Sequence, residues 1–273
     1  MANSRGDWRP FAANSIQSAH ERGCTMLTTR QLFTALLLSL IATSLTAQQT
    51  DQGYTKERQR MVQTIQREVR QTSDHLEKKQ LDERVIEALK TVPRHLFVPE
   101  AQRQSAYQNR PLPIGYGQTI SQPYIVAIMT DLIAPQAQHK ALEIGTGSGY
   151  QAAVMSRLVE QVFSMEIVEP LGQLATERLQ ALGYRNIEVA IEDGYHGWAS
   201  EAPFDIIIVT AAASHIPPPL IEQLKPGGKM IIPVGSRFMT QQLLLVNKDQ
   251  QDEVTVRQVL PVRFVPLINK SEL

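Results

Sequence analysis

Six short apolar runs, separated by helix-like segments, constrain the fold of this chain more than any other feature. The runs cover residues 141–144, 162–165, 187–191, 205–210, 229–233 and 242–246. The segments between the first four cover residues 151–158, 170–182 and a shorter link at 194–200. Strands that are apolar throughout and alternate with helices are typical of a mostly parallel sheet with helices on both faces. We therefore predict an α/β, doubly wound fold with its ligands at the carboxyl ends of the strands.

An N-terminal helical extension precedes the sheet. Met61, Ile65 and Val69 recur every four positions among charges, which predicts an amphipathic helix over 56–70. A second helix is expected over 81–90, ending before Pro93. The stretch 98–123 is rich in proline and glycine and predicts ordered loop, and 124–132 is expected to be helical.

The length of 273 residues predicts one catalytic-sized domain and an N-terminal segment. The domain is expected over 56–273, divided into helices and a loop at 56–135, a core at 136–240 and C-terminal strands at 241–273. Residues 1–50 are expected to lie outside it, because the run 32–45 has the length and composition of a secretory signal within 26–47. Under this hypothesis translation begins at Met26.

Charge and cysteine usage exclude several classes of function. Lysine plus arginine and aspartate plus glutamate number 27 each, so no net field favours nucleic acid, and we expect none as a partner. The single cysteine, Cys24, lies upstream of the expected domain and excludes disulfides and thiol catalysis. The six histidines lack metal-ligand spacing, so no metal is expected. No stable membrane association is expected if 26–47 is cleaved.

A glycine-rich loop follows the first strand. Gly145, Gly147 and Gly149 alternate directly before a helix, a pattern that lets the backbone turn tightly and approach a ligand closely. Glu166 ends the second strand about 20 residues later, where an acid can accept hydrogen bonds from both hydroxyls of a ribose. The loop and this acid together predict a nucleotide site, although either feature alone is also common in ordinary turns and strand ends.

The form of the loop distinguishes between cofactors. Dinucleotide loops read G-x-G-x-x-G, whereas this one reads G-x-G-x-G and is preceded by the acid Glu143. It resembles the loop of class I methyltransferases, and an acid there favours a sulfonium or amino group while it would repel pyrophosphate. We therefore expect S-adenosyl-L-methionine as the cofactor. In that fold Asp193, after the third strand, faces the adenine, although aspartate before glycine is also a common turn residue.

Five segments together resemble one family. They are GQTISQP (117–123), LEIGTGSGYQAA (142–153), PFDIIIVTAAA (203–213), PVG (233–235) and RFVPL (263–267). In this order they are similar to the protein-L-isoaspartate (D-aspartate) O-methyltransferase family over about 81–267. The resemblance implies a Rossmann-like class I methyltransferase fold.

The resemblance also implies residue roles. Ser121 would be the active-site residue, on a loop that covers the methyl group and the incoming carboxylate. Gln118, Thr119 and Thr210 would support this loop and the floor of the site. The segment RFVPL would line the peptide channel, although packing in an edge strand explains its apolar residues equally well. A loop serine of this kind can also simply bond its own backbone.

The function that the resemblance implies is methyl transfer to the α-carboxylate of L-isoaspartyl residues in damaged proteins and peptides, which starts repair through a succinimide. The carboxylate is ionised at neutral pH because its pKa is ~3.5, so no general base is needed. The alternatives are methylation of another carboxylate or small molecule, a nicotinamide-dependent oxidoreductase, and a binding protein without catalysis. We expect a cytoplasmic location from the family and from cofactor supply, with periplasmic location or export through 26–47 as the alternative.

Overall fold

The computed structural model describes residues 53–236 and 238–268. The signal-like segment 26–47 and the expected start at Met26 lie outside the described residues. Among the helices within the described ranges, none has the length and apolarity needed to cross a membrane.

The α-helices of the described part are short and lie mainly before and between the strands. They are α1 (Thr55–Gln71), α2 (Ser73–Leu76), α3 (Glu83–Thr91), α4 (Pro123–Leu132), α5 (Tyr150–Met155), α6 (Glu169–Ala181) and α7 (Pro218–Glu222). In α1 the apolar residues at three- and four-residue spacing are buried, as the periodicity predicts. Asp82 caps α3 by accepting a hydrogen bond from Arg84 N at 2.8 Å. The helices expected over 56–70, 81–90 and 124–132 are thus confirmed.

The strands form one large sheet and one small hairpin. They are β1 (Leu112–Gly115), β2 (Gln118–Ile120), β3 (Lys140–Ile144), β4 (Gln161–Glu166), β5 (Ile187–Ile191), β6 (Phe204–Val209), β7 (Leu224–Val234), β8 (Gln241–Lys248) and β9 (Val254–Val262). The large sheet has the order β5-β4-β3-β6-β7-β8-β9. Its first five strands are parallel and its last two antiparallel, which confirms the mostly parallel sheet.

Two apolar clusters cover the two faces of this sheet. Ile206 and Ile208 of β6 belong to one cluster, which also contains α1, α3 and α4, while Ile207 and Val209 belong to the other. Successive side chains of a strand point to opposite faces, so a central strand covered on both sides must be apolar at every position. The uninterrupted apolar runs in the sequence therefore reflect burial on both faces.

Two expectations need correction. The stretch 98–123 is not loop throughout, because β1 and β2 pair within it and bury Leu112 against Ile120. Gly115 and Gly117 adopt φ values of 97° and 71°, and their lack of a side chain allows the tight turn between the strands. The segment RFVPL is not an edge strand, since β9 occupies the edge and RFVPL follows it.

Candidate active site

The carboxyl ends of β3, β4 and β6 meet around the glycine loop, residues 145–149. The backbone N–H groups of Gly145 and Thr146 both donate to the carbonyl of Met165, at 2.8 and 3.1 Å. Gly147 N donates to Glu166 Oε2 at 2.7 Å. The loop is therefore held by the adjacent strand β4, through its backbone and through the acid at its end.

The three glycines have different surroundings. A Cβ on Gly145 would lie 2.5 Å from Thr210 Oγ1, so the close approach of β6 requires glycine there. Gly147 has a φ of 52° and faces open space, where a Cβ would meet only Ile114 Cδ1, at 3.4 Å. Gly149 is the N-cap of α5 and lies beside Leu179, away from the cavities that the other two glycines line. Gly147 is thus the position where the loop leaves room for a ligand.

Glu166 lies where the glycine spacing predicts a ribose-binding acid. It is only 6% exposed, and its two oxygens accept hydrogen bonds from Gly147 N and Val168 N. Burial raises its pKa, and the backbone donors oppose this shift. A carboxylate offers about four lone-pair sites, so Glu166 can still accept from ligand hydroxyls while it holds the loop.

Glu143 is the most deeply buried acid of the site. Ser164 Oγ donates to its Oε2, and Thr146 Oγ1 lies 2.6 Å from the same serine hydroxyl. Its Oε1 is buried and has no hydrogen-bond partner among the described residues. Burial raises the pKa of Glu143 to about 8, with the Ser164 hydrogen bond opposing the shift and the charge of Glu166 adding to it. A carboxyl with one satisfied and one unpaired buried oxygen suits a ligand that brings a cation or a donor.

Asp193 follows β5, and the structure gives it a turn role without excluding a ligand role. Its Oδ1 accepts from Tyr195 N at 2.9 Å and caps a short 3-10 turn, Gly194–His196. The same residue lines a cavity at the end of β4 and β5, together with Met165, Trp198 and others. The turn fixes the backbone of Asp193 at the rim of this cavity.

Ser121 lies on a second loop, residues 117–122, between the hairpin β1–β2 and helix α4. Its hydroxyl makes no hydrogen bond to the described residues, so it does not bond its own backbone. It lines both a groove of about 430 Å³ and a smaller cavity that reaches Glu143. The hydroxyl is therefore available to a ligand between these two spaces.

The groove and the glycine-loop cavity meet at two threonines. Thr119 and Thr210 each line both spaces, while Gln118 lines only the cavity at the glycine loop. Thr210 Oγ1 donates to the carbonyls of Gly145 and Ile144, at 2.7 and 3.0 Å, so it faces backbone more than ligand. The predicted residues are thus brought together at one junction, and Thr210 contributes mainly as support.

The segment RFVPL forms a wall between the two spaces. Ala212 N donates to Val265 O at 2.8 Å and Leu267 N donates to Ala212 O at 2.7 Å, which fixes the segment beside the end of β6. Phe264 and Val265 line the groove, and Val265 also lines the glycine-loop cavity. Arg263 is the only charged side chain among the described residues that line the groove. The segment thus lines a groove, and its role toward a peptide stays a prediction.

Three supporting residues were not found from the sequence. Arg94 is fully buried and donates from Nη2 to Ser121 O at 2.6 Å. Asn109 accepts from Tyr124 N at the start of α4 and donates to Glu68 Oε1 at 2.7 Å. The one signal for Arg94 is its charge inside the stretch 92–98, which is apolar apart from Arg94 and His95, and this signal gains meaning only when Arg94 is found buried.

The described residues fit S-adenosyl-L-methionine. An unpaired buried carboxyl oxygen suits its cationic groups, an acid with spare lone pairs suits its ribose, and the open space at Gly147 allows close approach. Residues that would hold it are Glu143, Glu166 and Asp193. Ser121 also lines a groove that is separate from the glycine-loop cavity.

Comparisons with known proteins agree with this geometry. The chain is 56% identical over 235 residues to a protein-L-isoaspartate O-methyltransferase 2 of Syntrophobacter fumaroxidans, covering 86% of this chain and 95% of the relative. It is 61% identical over 207 residues to the Polaromonas protein of the same name, covering 76% and 98%. A solved protein-L-isoaspartate O-methyltransferase superposes with a TM-score of 0.67 at 25% identity, covering 77% of this chain and 65% of that one.

A family profile and a second structure extend the agreement. A Plasmodium falciparum protein of the same family name, solved with S-adenosyl-L-homocysteine, shares the fold with a TM-score of 0.61 at 23% identity, covering 76% of this chain and 98% of that one. The profile of protein-L-isoaspartate(D-aspartate) O-methyltransferase matches residues 61–272. The chain belongs to the protein-L-isoaspartate(D-aspartate) O-methyltransferase family.

Proposed function

We propose that this protein transfers a methyl group from S-adenosyl-L-methionine to the α-carboxylate of L-isoaspartyl residues in damaged proteins and peptides. The observation that carries the proposal is that Thr119 lines an open groove and two neighbouring cavities, each of which contains a buried acid. Glu166 lines the glycine-loop cavity and Glu143 lines the smaller cavity. Ser121 lines the groove and the smaller cavity, and its hydroxyl has no hydrogen-bond partner among the described residues.

The cofactor-binding residues act through charge and shape. Glu166 would accept hydrogen bonds from the ribose hydroxyls, Glu143 would face a cationic group, and Asp193 would lie at the adenine end. When bound, the cofactor supplies a methyl on sulfur, whose S–C bond breaks as the O–C bond forms, with the electron pair left on sulfur. No proton moves in this step, which agrees with the absence of a carboxylate or an imidazole among the described residues that line the groove with Ser121.

Ser121 orients the carboxylate by hydrogen bonding. Its hydroxyl donates to the carboxylate and does not compete as a nucleophile, because none of the described residues that line the groove with it carries a carboxylate or an imidazole that could remove its proton. Thr119 and Gln118 support the loop at the cofactor side, and Thr210 holds the floor. Alignment of oxygen, methyl and sulfur and removal of water then account for catalysis.

The groove is suited to a peptide carboxylate. Its walls combine the apolar Ile125, Phe264 and Val265 with hydroxyls, which can accept an extended peptide segment. Arg263 at its rim attracts an anionic substrate. The methyl ester then closes without the enzyme to a succinimide, and hydrolysis returns part of it to normal aspartate.

Transfer of labelled methyl to a synthetic peptide tests the proposal. The full chain is given labelled S-adenosyl-L-methionine and a peptide with one isoaspartate, with the same peptide carrying normal aspartate as the control. We expect base-labile label on the isoaspartyl peptide only. If the protein bound the cofactor but labelled neither peptide, the isoaspartyl substrate would be wrong. Methylation of another carboxylate would then be the remaining explanation.

For location we propose the cytoplasm, where the cofactor is made. N-terminal sequencing of the native protein together with cell fractionation tests this. A periplasmic protein that begins after Ala47 would contradict it and establish 26–47 as a signal.

A further inference from the structure

A buried arginine lies directly behind the Ser121 loop. Arg94 belongs to a short 3-10 helix, Arg94–Leu96, and is 0% exposed. Its Nε donates to Ala106 O at 2.8 Å and its Nη2 donates to Ser121 O at 2.6 Å. One planar guanidinium therefore joins the two ends of the segment that contains the hairpin β1–β2.

The same guanidinium also contacts Tyr150, the residue that directly follows the glycine loop. Its Cζ lies 4.7 Å from the ring centroid of Tyr150, the first residue of α5. Phe97, three residues after Arg94, packs edge-on against the same ring, with centroids 5.5 Å apart. Tyr150 directly follows Gly149, so Arg94 and its helix touch both loops that border the site.

No carboxylate among the described residues forms an ion pair with this buried charge. Its described hydrogen-bond acceptors are two carbonyls, and its Nη1 is buried without a partner among the described residues. Burial lowers its pKa to about 10, with the Tyr150 hydroxyl opposing the shift, so Arg94 stays charged at neutral pH. A buried, incompletely satisfied cation is costly, and such groups persist mainly where function needs them.

We propose that Arg94 is a positioning residue that fixes the Ser121 loop for methyl transfer by clamping the carbonyls of Ala106 and Ser121 against Tyr150. The proposal rests on the proposed function in one respect, the role of Ser121 toward the substrate carboxylate. The clamp acts on the backbone of Ser121, so its hydroxyl stays free for the substrate. The fork geometry of arginine is needed, because lysine cannot reach two carbonyls in one plane.

Steady-state kinetics of the full-length Arg94→Met and Arg94→Lys proteins test the clamp. We expect Arg94→Met to lower kcat/KM for an isoaspartyl peptide roughly 100-fold, mostly in kcat, since misplacement of about 1 Å costs that much. The cofactor Kd should change less than about 3-fold, because the cofactor contacts are made by other residues. Arg94→Lys should recover only part of the loss.

Arg178 offers a matched comparison on the other loop. Its Nη1 donates to Ser148 O at 2.8 Å, so it is a guanidinium-to-carbonyl contact that holds the glycine loop. Arg178→Met should weaken cofactor binding first and lower kcat at saturating cofactor much less. If Arg94→Met lost cofactor affinity and kcat/KM to the same extent, the proposal would be overturned. A domain that is only destabilised would lose both quantities equally.

Hydrogen exchange of the backbone amides at 117–122 gives a readout that does not depend on the substrate. Faster exchange confined to these amides is expected in Arg94→Met, and the smaller change in Arg94→Lys provides the test if Arg94→Met fails to fold. Unchanged exchange in a folded variant would contradict the clamp. If wild-type protein methylates no isoaspartyl peptide but the exchange result holds, the proposed function fails and the clamp stands.

Discussion

The two loops that meet at the site are held in opposite ways. The glycine loop is fixed by neighbours at the ends of the strands, with Gly145 and Thr146 bonded to Met165 O and Gly147 bonded to Glu166. The Ser121 loop is fixed by side chains distant in sequence. Arg94 bonds its carbonyl, and Asn109 and Glu68 hold the start of the helix that follows.

Because the two loops are held differently, we expect one to affect cofactor binding and the other to affect methyl transfer. A loop held mainly by the ends of the strands, with Arg178 as an additional side-chain contact, keeps its shape as long as the sheet is folded, which suits a cofactor site. A loop held by a few long-range side-chain contacts is more easily displaced, and displacement changes the alignment of the reacting groups before it changes cofactor affinity. We therefore expect substitutions at the glycine loop to act on cofactor Kd and those at the Ser121 loop to act on turnover.

The largest effect is expected from Gly147→Val. The valine side chain fills the open space at the loop and must adopt a φ of 52°, so cofactor affinity should fall more than about 100-fold. Calorimetric titration with the cofactor measures this. Gly183→Val is the control, because Gly183 has a similar φ of 80° but no neighbour within 4 Å and no place in the site. Equal affinities of the two variants would remove Gly147 from the cofactor site.

Ser121→Ala should lower kcat roughly 10- to 100-fold and leave the cofactor Kd nearly unchanged. The hydroxyl orients the substrate carboxylate and makes no hydrogen bond within the described residues, so its removal should not disturb the loop. Methyl-transfer kinetics measure the fall in kcat, and titration with the cofactor checks that its Kd is nearly unchanged. If Ser121→Ala instead lost cofactor binding, Ser121 would belong to the cofactor cavity. The two loops would then not differ in their effects on binding and turnover.

Cofactor affinity should rise with pH up to about 8, the value to which burial raises the pKa of Glu143. A cationic ligand favours the ionised form, so it lowers this pKa and binding releases a proton below pH 8. Affinity should then grow by up to about tenfold per pH unit and level off above pH 8. Calorimetry in buffers of different ionisation enthalpy measures the proton released. Glu143→Gln should abolish this release; a persistent release would assign it to another group.

The smallest effect is expected from Asn109→Ala. The variant loses the acceptor for Tyr124 N and the bond to Glu68, which should cost about 1 kcal/mol of unfolding free energy. Tm should fall by roughly 2–4 °C, and kcat/KM should fall about 3-fold. Asn186→Ala is the control, because Asn186 bonds Ser156, Val159 and Glu160 carbonyls away from the groove. If Asn186→Ala lost as much kcat/KM as Asn109→Ala, the loss would come from lower stability and not from the position of Asn109 at the Ser121 loop.

Sequence reasoning located the cofactor side better than the substrate side. The alternation of strands and helices, the loop 145–149 and the acids Glu143 and Glu166 follow from local patterns, and the structure brings the loop and the two acids together. The junction at Ser121 depended on resemblance, because no local pattern marks that serine. The hairpin β1–β2 was missed since glycines and prolines that permit a tight hairpin also occur in loops.

The sequence by itself determined the alternation of buried strands and helices, because burial on both faces requires apolar residues at every strand position. It also determined the glycine loop, whose backbone geometry only glycine adopts freely. Only the tertiary structure decided that Arg94, Asn109 and Glu68 hold the Ser121 loop and that RFVPL separates the groove from the cofactor cavity. These contacts join residues far apart in the chain, and sequence spacing carries no information on such distances until the sheet has folded.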